Sequence, residues 1–74
     1  MSAQPENTLL VNGEPRPYVR QTVADLLRDL GLDPQRPGIA VALNDTVVPR
    51  SEWEERVLQP GDRVEVVRAV AGGQ

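Results

Sequence analysis

Val23, Leu26, Leu27 and Leu30 recur at helical spacing and lay one apolar stripe along a short segment. This stripe constrains the fold most, because one short amphipathic helix needs a second layer to cover its apolar side. Thr22 precedes the stripe as a capping hydroxyl, and Asp25 follows three residues later. Gly31 suits a left-handed C-cap, with Pro34 shortly beyond it.

The second layer reads as strands. Thr8 to Asn12 is rich in β-compatible residues, and Asn12-Gly13 is a hairpin turn signal. Pro15 to Arg20 is then the return strand, and Pro15 and Pro17 place it at an edge. From Ile39 to Asn44 the large residues Ile39, Val41 and Leu43 alternate with Ala40 and Ala42, the period of a strand. Asn44-Asp45 turns the chain into a short strand, Thr46 to Val48, which Pro49 ends. Ser51-Glu52-Trp53-Glu54 repeats the capping signature and predicts a single helical turn. Gln59-Pro60-Gly61-Asp62 has Pro and Gly where a type II turn wants them. Arg63 to Val70 is the longest strand, with Val64 and Val66 inward and Glu65 and Val67 outward. Setting that last strand at the centre, beside the first, buries the most backbone. The expected class is α+β, a β-grasp: a mixed sheet of four to five strands with one main helix across one face. The domain is expected over 8–70, between a flexible leader at 1–7 and a flexible tail at 71–74.

Little inside that domain can do chemistry. The chain has 74 residues and no cysteine or histidine, which removes thiolate and imidazole nucleophiles and the commonest soft metal ligands. Glu52, Glu54 and Glu55 read as a solvated face, and no metal site is expected. A net charge of −3 with scattered arginines argues against nucleic acid. No apolar run approaches the ~18 residues of a membrane span, and Met1 to Asn7 lacks the pattern of a signal peptide. Cytoplasm is the default location. Every basic residue is an arginine, so the chain offers no lysine amine as a conjugation acceptor.

The chemistry is expected at the tail. Ala71-Gly72-Gly73 follows the last strand, and Gln74 follows Gly73. Two glycines without Cβ atoms make the narrowest thread a polypeptide offers, one able to enter a slot in another protein. About three extended residues would carry a carboxylate ~10 Å clear of the sheet. A frayed terminus is the plainer reading of the same residues.

Several segments carry a family resemblance. Val11-Asn12-Gly13-Glu14, Gln21-Thr22-Val23, Ala40-Val41-Ala42-Leu43-Asn44, Val47-Val48-Pro49-Arg50 with Trp53, Gly61-Asp62 and Ala71-Gly72-Gly73 resemble those of the bacterial ThiS sulfur carriers of thiamin biosynthesis. The resemblance implies a protein cosubstrate rather than an enzyme. In that family a ThiF/MoeB-like adenylyltransferase uses ATP and Mg to activate the terminal carboxylate, here that of Gly73. Sulfur from a persulfide, supplied indirectly by a cysteine desulfurase or another donor, then gives a thiocarboxylate. A thiazole synthase takes the sulfur. No cofactor is implied for the carrier itself. Gln74 departs from the family pattern, which ends at the second glycine, and is expected to be removed first. Carriers of the same fold serve molybdopterin and natural-product pathways, and a ubiquitin-like modifier is a further alternative.

Other residues divide between packing and binding. Trp53 reads as a packing anchor, and Pro49 and Arg50 as loop-shaping residues. Leu10, Ala40, Ala42 and Val67 fall on the outward side of their strands. Small apolar groups clustered on an open sheet mark a partner surface, expected to dock the adenylyltransferase and the synthase.

Overall fold

The computed structural model describes residues 7–69. β1 (Thr8–Val11) and β2 (Glu14–Pro17) form one hairpin, and α1 (Val23–Asp29) follows. β3 (Ile39–Leu43) and β4 (Thr46–Val47) form a second, and a 3-10 turn at Arg50–Glu52 leads towards β5 (Arg63–Arg68). One mixed sheet results, in the order β2-β1-β5-β3-β4. β5 is central, parallel to β1 and antiparallel to β3. With α1 as its one α-helix among the described residues, this is the expected α+β, β-grasp arrangement.

Both hairpins close through two residues at positive φ. Asn12 and Gly13 stand at 52° and 84°, and Asn44 and Asp45 at 50° and 72°. Two-residue loops of this kind match the twist of the strands they join, and Asn, Asp and Gly enter that region at least cost. Asn44 also works across the sheet: its Oδ1 accepts the Arg63 N–H at 2.9 Å and its Nδ2 donates to Asp62 at 3.0 Å.

The helix is bounded as its sequence predicts. Thr22 Oγ1 accepts the Asp25 N–H at 3.1 Å, and the Asp25 carboxylate accepts the Thr22 N–H at 3.2 Å. The N–H groups of Val23 and Ala24 donate to the Arg56 and Trp53 carbonyls at 2.9 and 3.0 Å. The donors a helix start leaves unpaired are thus met by the segment before β5. At the far end Gly31, at φ 83°, donates to Arg28 while Leu32 donates to Leu27, a Schellman closure.

Val23, Ala24, Leu26 and Leu27 pack on Leu9, Val11, Val41, Leu43 and Val64 of the sheet, and Val48, Trp53 and Leu58 complete one core. All twelve are less than a tenth exposed, so the core rests on aliphatic side chains and a single indole. Each fully buried Leu or Val contributes about 1.5–3 kcal/mol, set against the entropy of ordering the chain.

Three expectations need correction. The return strand covers Glu14–Pro17, not Pro15 to Arg20, and Tyr18 instead turns its hydroxyl to the Leu58 carbonyl at 2.8 Å. Ser51 does not cap a helical turn. Pro49 holds the N-cap position without a side-chain bond, and Ser51 lies inside the 3-10 helix, because the fixed φ of Pro49 starts the turn two residues earlier. β4 ends at Val47, and Val48 drops into the core while its N–H still reaches the Val41 carbonyl at 2.9 Å. The expected leader (apart from Asn7), tail and Val70 lie outside the described residues.

Candidate functional site

The helix covers one face of the sheet and leaves the other open. Strand alternation sends Leu9, Val11, Val41, Leu43 and Val64 to the helix side. The residues between them face out. Ala40 stands opposite Val67, Ala42 lies between Glu65 and Val47, and Leu10 stands opposite Arg63. The structure therefore brings Leu10, Ala40, Ala42 and Val67 to one face. Val67 is 61% and Leu10 37% exposed; Ala40 is exposed and Ala42 half-buried.

Val47, 71% exposed, extends the same surface to the edge of the sheet and was missed from sequence. Consecutive valines at 47 and 48 leave open which of them points inward. The signal lay in the turn: a two-residue loop at Asn44-Asp45 pairs Leu43 with Thr46 and Ala42 with Val47, so Val47 must share the outward side of Ala42. Arg63 and Glu65 lie among these apolar groups. Arg63 meets Asp45 at 3.0 Å with both side chains half or more exposed, a contact worth little in energy. The result is an open apolar strip with charges set into it.

The Val-Pro-Arg-x-x-Trp segment is a structural clasp. Trp53 is 2% exposed and its Nε1 donates to the Val48 carbonyl at 2.9 Å. Arg50 lies 4.5 Å from the centroid of the Trp53 ring and donates to the carbonyls of Pro34 and Arg36. Glu52 and Glu54 pair with Arg56 and Arg28. On the exposed side of the helix the Thr22 backbone N–H, more than Arg28, holds the Asp25 carboxyl below its usual range. Arg28 is pushed up, first by its hydrogen bond to Glu54.

Among the described residues no three His, Cys, Asp or Glu side chains are grouped to hold a metal ion. No helix there is long and apolar enough to cross a membrane. The expected reactive residues Ala71, Gly72, Gly73 and Gln74 lie outside the described residues. β5 leads towards them from the middle of the sheet, and Ala69, its last described neighbour, donates to the Gly38 carbonyl at 2.7 Å.

The ThiS family model matches residues 9–73. The sulfur carrier protein ThiS of Thermus thermophilus is 40% identical over 63 residues, 85% of this chain and 95% of that protein. A thiazole synthase of Paramagnetospirillum magneticum is 36% identical over 66 residues, which make up 88% of this chain but 20% of that protein. A crystal structure of the thiamine biosynthesis protein ThiS from Geobacter metallireducens superposes with a TM-score of 0.72 at 29% identity, covering 85% of this chain and 94% of its own.

Proposed function

Since the chain belongs to the ThiS family, the small sulfur carrier proteins of thiamin biosynthesis, we propose that its own reactive group is the carboxylate of Gly73, once Gln74 has been removed. The match to the family runs through Gly73 and stops there, and that is the observation that carries the reading. In the amide-linked chain the Gly73 carbonyl has no free carboxylate oxygen, so the bond to Gln74 must be hydrolysed first.

The chemistry then takes place on partners. An adenylyltransferase holding MgATP lets a Gly73 oxygen attack the α-phosphate, and pyrophosphate leaves. The acyl-adenylate has a good leaving group, and a terminus without side chains lets the partner enclose the acyl carbon. The outer sulfur of a cysteine persulfide bonds to that carbon as AMP departs. A second thiol of the partner side cleaves the resulting S–S bond, becomes part of a disulfide, and leaves the Gly73 thiocarboxylate. A thiazole synthase takes this sulfur. Support for that last partner comes from the Paramagnetospirillum thiazole synthase, in which a segment like this chain forms a fifth of a longer protein.

The carrier supplies position. Contacts on its outer face, through Leu10, Ala40, Ala42, Val67 and Val47, fix the domain, so that binding energy remote from the acyl carbon serves reaction there. Two variants test the proposal, one ending at Gly73 and one retaining an uncleavable residue after it. With the purified adenylyltransferase, ATP–pyrophosphate exchange is expected for the first and not the second. Equal exchange with both, with AMP on residue 74, would overturn it.

A further inference from the structure

β5 leaves the sheet beside an open cleft of about 1030 Å³, bordered by Leu32, Arg36, Gly38, Ile39, Arg68 and Ala69. The far wall belongs to the loop between α1 and β3, and that loop is tied down twice. Arg50, stacked on the buried Trp53, holds the carbonyls of Pro34 and Arg36. Gly38 accepts the Ala69 N–H, and a Cβ at Gly38 would lie 3.6 Å from that of Ala69. The cleft is therefore pre-formed.

Its charge differs from that of the rest of the molecule. Arg16, Arg28, Arg56 and Arg63 pair with carboxylates, and Arg50 is taken up by carbonyls and the indole. Among the described residues no carboxylate or carbonyl pairs with the guanidinium groups of Arg20, Arg36 and Arg68. Two of these three line the cleft. Among the described residues Asp33 is the one carboxylate bordering it, and its Oδ1 accepts the Gln35 N–H at 2.9 Å. Two unpaired guanidiniums against one engaged carboxylate make a positive spot on a chain of net charge −3. An acidic partner surface is drawn to that spot against the net negative charge of the chain, which orients the encounter.

We propose that Arg36 and Arg68 are a docking site for acidic side chains at the mouth of the enzyme pocket that receives Gly73. The inference rests on Gly73 being the activated terminus. Gly73 lies five positions beyond Arg68, a reach of at most ~18 Å in extended chain. A carboxylate gripping Arg68 therefore belongs to the rim of the partner's pocket, not to its floor. The guanidinium fork favours such a partner because it donates two parallel N–H bonds to a carboxylate.

The test uses the chain ending at Gly73 and pyrophosphate exchange with the purified adenylyltransferase. The double variant Arg36→Glu/Arg68→Glu should raise KM for the carrier about tenfold, leave kcat within about twofold, and flatten the dependence of KM on salt. Arg36→Lys/Arg68→Lys should raise KM less than the Glu variant does, since the charge is retained while the two-bond fork is lost. Arg20→Glu, at the opposite end of the sheet beyond β2, should change nothing. Thermal melts followed by Trp53 fluorescence check folding, and Arg36→Gln/Arg68→Gln replaces any charge reversal that unfolds. An unchanged KM and salt dependence in a folded double variant would overturn the docking site alone, as would an equal loss in Arg20→Glu. No exchange by the parent itself would instead overturn the reading of Gly73, and the docking site with it.

Discussion

Val66 donates its backbone N–H to the Asn12 side-chain oxygen at 2.8 Å, and Asn12 Nδ2 returns a longer bond of 3.3 Å to the Val66 carbonyl. β1 ends at Val11, so β5 runs past its neighbour on that side. The amide of a turn residue stands in for the missing strand. Asn12 thus has two tasks, taking a φ of 52° in the hairpin and closing the ladder of a strand 54 residues away.

Replacing Asn12 separates those tasks. Asn12→Gly keeps the turn and should lose about 1–2 kcal/mol through the two missing bonds. Asn12→Ala should cost about 1–2 kcal/mol more, because Ala resists positive φ. Urea unfolding reads both values, and amide exchange at Val66 should quicken in each. Parental stability in Asn12→Gly would mean that the amide bridge contributes nothing.

On the outer face, Val67→Glu should leave the fold intact and weaken adenylyltransferase binding by about 1 kcal/mol or more. Ala42→Glu is a poorer probe, because position 42 stands opposite Glu65 and the two carboxylates would repel within the sheet. Ala42→Arg faces Glu65 with the opposite charge and tests the same surface. Calorimetric affinities unchanged in both Val67→Glu and Ala42→Arg would remove this face from the interface.

The helix cap predicts a pH dependence with a definite sign. The Thr22 N–H, and to a lesser degree Arg28, lower the Asp25 pKa in the folded protein below its ordinary 3.8. The native state therefore favours the ionised carboxylate. Its contribution is complete above the unfolded value and is lost as pH falls through the lowered folded one. Melting temperatures of the parent and Asp25→Asn should differ at about pH 6 and converge towards about pH 2. A constant difference across that range would rule out this linkage.

Much of the fold was legible because local chemistry and burial agree. The Thr22–Asp25 box, the Asn12-Gly13 turn and the alternation from Ile39 to Leu43 each have a cause within a few residues. The central place of β5 followed from its length, and the outward positions of Leu10, Ala40, Ala42 and Val67 followed from period two. Less legible were features settled between distant segments. Whether Val47 or Val48 faces the core depends on pairing across β3. The role of Arg50 depends on carbonyls 14 and 16 residues before it, and no local pattern announces them. The capping signature at Ser51 misled because a proline two residues earlier already sets the start of the turn.

The central position of β5 also bears on how the molecule withstands force. If an enzyme draws the chain beyond Ala69 into its pocket, as proposed, it pulls along the axis of β5. The rungs joining β5 to β3 run across that axis, and those to β1 slant over it. Tension along β5 is shared by rungs on both flanks at once, in shear. A pull directed across β2 or β4 would instead peel an edge strand away one rung at a time. Under the proposed reaction the protein can thus be gripped by its C-terminal end and keep its shape while it is held.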